Sequence, residues 1–401
     1  MRILYLAHSC PFPPNKGDRI RSFNILKYLS SRHEVDLVYP SFSAQDVAYQ
    51  AQLAGYCRSV GTVRLSPLLS AARCCVSLLT NRSFTEVYFY SRRLARLIRH
   101  RDCDVILVDC SSMSPYVQGL EKPKVLDFVD VDSDKWRLFS RWSAYPKSWV
   151  YGLEARRLQR LEGELARTFD ASLVVSERER ALLLHPERTV VVPNGVDLER
   201  QPANNSGDGR TLVFAGAMNY FANIDGILHF HKEVFPLIRR KAPDVKFLIV
   251  GMQPSAKIKR LQSPDTVVTG YVPNTAEYLA QATVCVVPLR IACGIQNKVL
   301  EAMAAGTPIV ATSAANSGIN AVHGSEMLIA DTPEAFAEAV VSLLSDETLR
   351  RRLAGNARKL VEQNFRWETN LQRLEEALRH ASRQATRSAE LPLVCVENTP
   401  A

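Results

Sequence analysis

No apolar run in this 401-residue chain approaches the ~20 residues that a helix needs to cross a bilayer. The opening MRILYLAHS is too short for the apolar stretch of a secretory signal and lacks a cleavage site, so it reads as a β-strand. None of the nine cysteines forms a CxxC pair; Cys74 and Cys75 are adjacent, while Cys110, Cys285 and Cys293 lie in or beside apolar strands. So odd and unpatterned a set excludes a disulfide framework and a cysteine metal site, and predicts reduced thiols in a cytosol. No GxGxxG follows the first strand, which removes the main support for a nicotinamide-dinucleotide enzyme. The one strongly basic stretch has no interleaved aromatics and no nucleic-acid motif, so no nucleic-acid partner is expected. His229 and His231, two apart on a helix, cannot share a face and make no metal pair.

What is present is the composition of a soluble globular enzyme, 46% hydrophobic and 23% charged. The length exceeds what one ordinary core accommodates and predicts two domains. The net charge of +9 is uneven, with 29 Lys+Arg against 22 Asp+Glu in residues 1–200 and 21 against 19 beyond. The excess gathers between Ser91 and Arg101, where five arginines recur at helical spacing. Such a helix is either a solvated face or a patch that meets anionic lipid.

Taken in order, the chain alternates apolar strands with helices. Strands read at Arg2–His8, Val35–Tyr39, Thr62–Leu65, Val105–Asp109, Lys124–Val129, Ser172–Ser176 and Thr189–Pro193. After the polar, breaker-rich Pro202–Arg210 the alternation restarts, at Thr211–Ala217, Val245–Gly251, Thr266–Val272, Val284–Leu289, Ile309–Thr312 and Met327–Ala330. Helices are expected from near Arg19, with Ile20, Phe23, Ile25, Leu26 and Leu29 buried, and at Ile224–Arg240, Pro333–Leu344 and Glu347–Asn364. The strands are unbroken Val/Ile/Leu runs, which suits parallel sheets covered on both faces. The expected fold is α/β: two Rossmann-like, doubly wound domains facing each other across a cleft. The first takes residues 1–205 and the second 206–364; a helix over 365–380 crosses back to the first, and 381–401 is a tail.

The stretch Pro288–Thr312, PLRIACGIQNKVLEAMAAGTPIVAT, organises the second domain. A strand breaks at Cys293-Gly294 into a loop, and a helix begins at Asn297. That order points free helix N–H groups at the loop, where an anion, most simply a phosphate, is favoured. Glu301, one turn in, places a carboxylate where vicinal sugar hydroxyls can donate to it, unless it is an ordinary surface glutamate.

With PPNKGDRIRSFN (Pro13–Asn24), DFVDVDSDKW (Asp127–Trp136), FAGAMNYFAN (Phe214–Asn223) and GIQNKVLEAMAAGTPIVAT (Gly294–Thr312), the chain resembles family-4 retaining glycosyltransferases of the GT-B fold. The resemblance spans most of residues 1–380. It is nearest a bacterial subgroup associated with exopolysaccharide genes and the PEP-CTERM system. It implies a nucleotide-diphosphate sugar held mainly by the C-terminal domain and a saccharide acceptor, often lipid-linked at the inner face of the cytoplasmic membrane. No metal and no other cofactor is implied.

Glu301 matches the second glutamate of the family's E-x7-E pattern, which binds the ribose; Tyr271 and Val272 would border the base. Gly216 would leave room for the diphosphate, with Gly294 and Asn297 at the loop. The sequence departs from the pattern in two ways. Cys293 stands where the first glutamate belongs, and the Met218–Asn223 segment supplies neither of the usual cations. Lys298 and Arg290 are the available substitutes for neutralising the diphosphate. On the acceptor side, Gly17, Asp18 and Arg19 end the first strand's loop, although Asp18 is equally a helix N-cap. One of Asp130, Asp132 and Asp134 would orient an acceptor hydroxyl, unless they are turn formers at a strand end, and His8 would stand in for a cleft histidine. Two rival readings stay open here: a sugar-nucleotide epimerase on the same fold, and a non-catalytic sugar-nucleotide-binding partner.

Overall fold

The computed structural model describes residues 1–199 and 207–390. The expected junction at 205/206 and the tail beyond 390 lie outside the described residues. All thirteen expected strands form, and every pairing between them is parallel.

The first sheet contains β1 (Arg2–Leu6), β2 (Glu34–Ser41), β3 (Ser59–Arg64), β4 (Val105–Asp109), β5 (Lys124–Asp127), β6 (Ala171–Val174) and β7 (Thr189–Val191), in the order β3-β2-β1-β4-β5-β6-β7. The second contains β8 (Thr211–Ala215), β9 (Lys246–Val250), β10 (Thr266–Gly270), β11 (Val284–Val287), β12 (Ile309–Ala311) and β13 (Leu328–Ile329), in the order β10-β9-β8-β11-β12-β13. In β4 and β11 every residue is buried, which is why both read as uninterrupted apolar runs. Each order reverses beside its own first strand, between β1 and β4 and between β8 and β11. Crevices for ligands open at such switch points, at the carboxyl ends of the strands.

Several strands stop two residues short of their sequence limits. β1 ends at Leu6, β5 at Asp127, β8 at Ala215 and β11 at Val287. The residues just beyond them (His8, Asp130, Gly216 and Arg290) therefore belong to loops at the carboxyl edges.

Two helices depart from expectation. The Ile224–Arg240 stretch is not one helix: an α-helix over Phe221–His229 passes through a π turn at Phe230–Val234 into Phe235–Lys241. Pro236 has no N–H to give and its ring would collide with a carbonyl one turn back, and the wider turn accommodates it. The last helix runs over Trp367–Glu390, past the expected end at His380. It crosses back onto the first sheet, where Leu371, Leu374 and Leu378 share a core with Ile3, Tyr5 and Leu107. Burying each of those leucines contributes about 1.5–3 kcal/mol. Tyr28 and His33 fix its position through hydrogen bonds to Glu375 at 2.9 and 3.0 Å.

Candidate active site

The site is built around the helix Asn297–Ala304, which follows β11 and its loop. No side chain caps its start, so first-turn N–H groups remain for a ligand. Lys298 and Glu301 are three residues apart and share a face. Lys298 Nζ donates to Asn223 Oδ1 at 2.6 Å and lies 5.0 Å from the centre of the Phe214 ring. It forms no ion pair among the described residues, and burial pushes it down to about 8. Burial also pushes Glu301 up to about 7, against the pull of Lys298. Its carboxylate accepts no hydrogen bond among the described residues. Two opposite charges, each short of partners, lie side by side at a crevice.

Gly216, just past β8, closes the floor of this pocket. Its φ of +156° is left-handed territory, and a methyl there would lie 2.9 Å from Asn223 Nδ2 and 3.4 Å from Lys298 Cε. Only glycine leaves that gap open. At the edge strand β10, Tyr271 is exposed and Val272 half-buried.

The first domain reaches across to the same loop. Gly294 has φ +57°, and a methyl there would lie 1.8 Å from Asp130 Oδ1. Its N–H donates to Glu179 Oε1 at 3.1 Å, and Glu179 also accepts from Val131 N–H at 2.7 Å. Asp130 accepts no hydrogen bond among the described residues; burial and then Glu179 push it up to about 6. Burial, with Asp130 and Glu179 behind it, raises the Cys293 thiol and keeps it neutral. The first-glutamate position therefore holds an uncharged thiol next to a carboxylate delivered from the other domain.

The remaining candidates are placed as follows. Arg290 is committed: its guanidinium grips Asp225 at 3.0 and 2.6 Å and lies 4.4 Å over the Trp142 ring. Asp18 is not the N-cap, since Lys16 holds that place; Asp18 sits in the first turn and accepts from Ser9 Oγ at 3.0 Å. Arg19 is tied to Asp46 at 2.9 Å and to the Phe12 carbonyl at 3.1 Å. Gly17 opens that helix, with Asn297 Nδ2 3.8 Å from where its Cβ would be. Asn297 accepts from Asn194 Nδ2 at 2.9 Å, which joins the second domain to the first. Asp132 is paired with Lys135 and accepts from Ser111 at 3.1 Å. Burial works against the charge of Lys135, but Asp132 and Asp130 hold it protonated well above the usual range. His8 Nδ1 is 2.6 Å from Ser112 Oγ, its ring lies 4.2 Å from that of Phe89, and burial lowers its basicity.

Four residues in this network escaped the sequence reading. Arg21 is fully buried, bidentate on Asp127 at 2.8 and 3.0 Å, and holds Asn194 Oδ1 at 2.9 Å. It occupies the buried face in place of Ile20 and Phe23, which are only half-buried. Its signal was available, because Arg21 lies one turn before Ile25. Asn223 and Asp225 hold Lys298 and Arg290, and Glu179 holds Gly294; nothing local in the sequence marks these long-range partners.

Residues 20–200 match the model of Glycosyltransferase Family 4, and residues 209–346 that of Glycosyl transferases group 1. Between them the two take in most of both domains. The chain is a glycosyltransferase. Over 389 residues, 91% of this chain and 96% of the relative, the transferase is 23% identical to an uncharacterised 44.6 kDa protein in the cps region of Klebsiella pneumoniae. Over 147 residues (34% of this chain, 38% of the relative), it is 27% identical to CapM of Staphylococcus aureus, a capsular polysaccharide biosynthesis glycosyltransferase.

Among solved structures, sucrose-phosphate synthase of Thermosynechococcus elongatus superposes with a TM-score of 0.70 at 16% identity, covering 96% of this chain and 100% of the other. HepE of Anabaena, crystallised with UDP and glucose, gives 0.67 at 16% identity over 95% and 100%. The transferase has the GT-B fold.

Proposed function

We propose that this transferase moves a hexose-type sugar, with retention at its anomeric carbon, from a nucleotide-diphosphate donor to a saccharide acceptor used in extracellular polysaccharide assembly. The observation that carries the reading is the Lys298–Glu301 pair, two half-buried and under-partnered charges on one helix face beside Gly216. A ribose diol donates to ionised Glu301, and the diphosphate takes up the Lys298 charge together with the first-turn N–H groups. HepE binds UDP, and the cps-region and capsular relatives support the polysaccharide setting.

Retention places the acceptor hydroxyl on the same side as the departing diphosphate. The bond from the sugar's anomeric carbon to the phosphate oxygen breaks, and one to the acceptor oxygen forms. The hydroxyl proton passes to the diphosphate oxygen, so the protein needs no dedicated base. Lys298 stabilises the charge that develops on the leaving group. Asp130 supplies, from the first domain, the carboxylate that Cys293 lacks, and it orients sugar hydroxyls at the Gly294 loop. Arg290 acts at one remove, by holding Trp142 of the first domain against the second. Gly17 and Asp132 line the acceptor side, where the acceptor is lipid-linked. The Arg92–Arg99 helix, whose four arginines are all exposed, would hold the first domain at an anionic bilayer, at ~1 kcal/mol per basic residue.

A thermal-shift panel of UDP, GDP, ADP and dTDP tests the donor class, since a ligand at 100 times its Kd stabilises by ~2.7 kcal/mol. A chain that responds to none of them has no such site. Glu301→Ala is expected to weaken diphosphate binding by about 1–3 kcal/mol, because the ribose loses a charged acceptor. Calorimetry on the folded variant checks this, and unchanged affinity would remove Glu301 from the site.

The two shifted groups also set a pH dependence. Binding to the free enzyme needs Glu301 ionised, above about 7, and Lys298 protonated, below about 8. Affinity should therefore peak in that narrow window and fall on both sides. Calorimetric titrations across pH should show that Glu301→Gln removes the acid limb and Lys298→Met the alkaline one. A flat profile in the parent enzyme would contradict this.

A further inference from the structure

The helix Pro67–Ser77, which follows β3, is built inside out. Its inward face carries Ser70 and Ser77, both buried, together with Arg73 and Cys74. Its outward face carries Leu68 at 83% exposure, Leu69 at 66% and Val76 at 65%, and Leu79 just past its end at 91%. At 100° per residue, Leu68, Ala72, Cys75, Val76 and Leu79 fall on one arc of the helix. An ordinary surface helix shows the reverse pattern. Polar ties hold this orientation. Ser66 Oγ caps the helix by accepting from Leu69 N–H, Arg73 donates to the Tyr90 carbonyl and to Ser70 Oγ at 3.0 Å, and Arg157 donates to the Thr80 carbonyl at 2.5 Å. The apolar side is thereby turned out by design of the packing, not left over from it.

The charge around this face identifies what covers it. From Arg64 to Arg101 the sequence has eight arginines and a single acidic residue, Glu86. Glu86 is spent on the Ser83 capping box. Arg64, Arg82, Arg92, Arg93, Arg96 and Arg99 are exposed, and the Arg73–Tyr90 bond brings the apolar helix next to the start of the Arg92–Arg99 helix. An apolar helix face beside clustered arginines is the surface that lies in the plane of an anionic membrane, its leucines among the acyl chains and its arginines among the headgroups. A protein partner for so uniformly cationic a rim would have to be acidic around an apolar centre, and a second copy of this chain is not.

We infer that the Leu68–Leu79 face inserts into the facing leaflet of an anionic bilayer and anchors the first domain there. This deepens the proposed membrane attachment, which rests on charge alone. The two are separable, because charge attraction is screened by salt and insertion of apolar side chains is not.

The test is flotation with phosphatidylglycerol vesicles and with phosphatidylcholine vesicles, at low and at high salt. The full chain should float with phosphatidylglycerol and keep a substantial bound fraction at high salt. Leu68→Ser/Val76→Ser/Leu79→Ser should lose the salt-resistant fraction by at least about tenfold while its melting temperature and UDP binding stay unchanged, since these side chains touch no core. Cys75 is the exposed thiol of the eight described cysteines and lies on the same face. An environment-sensitive dye on Cys75, with Cys75→Ser as control, should shift to the blue on adding phosphatidylglycerol vesicles.

Binding that disappears at high salt and survives in the triple variant, with the dye unshifted, would overturn insertion and leave charge attachment standing. A parent protein that ignores both vesicles would overturn insertion and attachment together. So would a dimer that the triple variant dissociates in the absence of lipid, which would assign the face to a second copy.

Discussion

Lys298→Ala is expected to lower kcat by about 10²–10³-fold, the usual cost of removing one preorganised donor from a developing oxyanion. The lysine is held ready by Asn223 at 2.6 Å and, although Glu301 lies nearby on the same helix face, it forms no ion pair among the described residues. Its charge is therefore available to the diphosphate, and the demand for it is greatest as that group departs. Binding of the free nucleoside, which has no phosphate, should hardly change, whereas the rate with intact donor collapses. Lys298→Arg should recover little, because the larger planar group does not fit between Asn223 and Gly216, where a methyl alone would already be 3.4 Å from Lys298 Cε. Steady-state kinetics with calorimetry on the nucleoside distinguish this from misfolding. Equal losses for nucleoside and donor would mean that the substitution damages the fold and not the chemistry.

Arg21→Met is expected to destabilise the first domain by about 3–5 kcal/mol, as breaking one partner out of a buried ion pair does. Arg21 and Asp127 are both essentially inaccessible, and Asp109 lies close enough that burial and Asp127 push it up to about 7. Without the guanidinium, two buried carboxyls face each other unneutralised. The loss should shrink as pH falls through about 7: Asp109, raised by burial and by Asp127 and held down by Arg21, binds its proton more tightly folded than unfolded, the more so without Arg21, and its protonation removes one of the two facing charges. Urea unfolding at neutral and acid pH measures both effects. Arg21→Met/Asp127→Leu should regain much of the stability. If the single variant unfolds like the parent at neutral pH, the pair does not support the domain. Arg21 also orients Asn194, which holds Asn297 at the start of the donor helix, so the double variant should still bind UDP less well.

How far the sequence revealed these features follows from how local each one is. The strands are continuous apolar runs, a signal contained within five or six residues, and all of them could be placed. Their ends could not, because Ala7, Phe128, Val129, Gly216 and Ala217 are apolar or small like the strands they follow, and yet the chain turns there into the cleft loops. Gly216, Gly294, Lys298 and Glu301 were legible because strand, loop and helix follow one another directly. Partners distant in sequence were not: Asp225 is 65 residues from Arg290, and Glu179 is 115 from Gly294. Arg290 therefore read as a free phosphate ligand, although its charge is spent on Asp225. The Pro67–Ser77 helix gave the opposite difficulty. Its apolar arc is plain in the sequence, but periodicity says only that one face is apolar and not which way that face turns.

The central claim, that the Glu301 carboxylate receives the ribose of a nucleotide-diphosphate donor, is tested most directly by one calorimetric cycle. UDP and 2′,3′-dideoxy-UDP are titrated into the parent enzyme and into Glu301→Ala. Removing the diol or removing the carboxylate is expected to cost the same, about 1–3 kcal/mol, and doing both to cost no more than either alone. Fully additive losses would show that Glu301 and the ribose hydroxyls do not meet, and would take Glu301 out of the donor site.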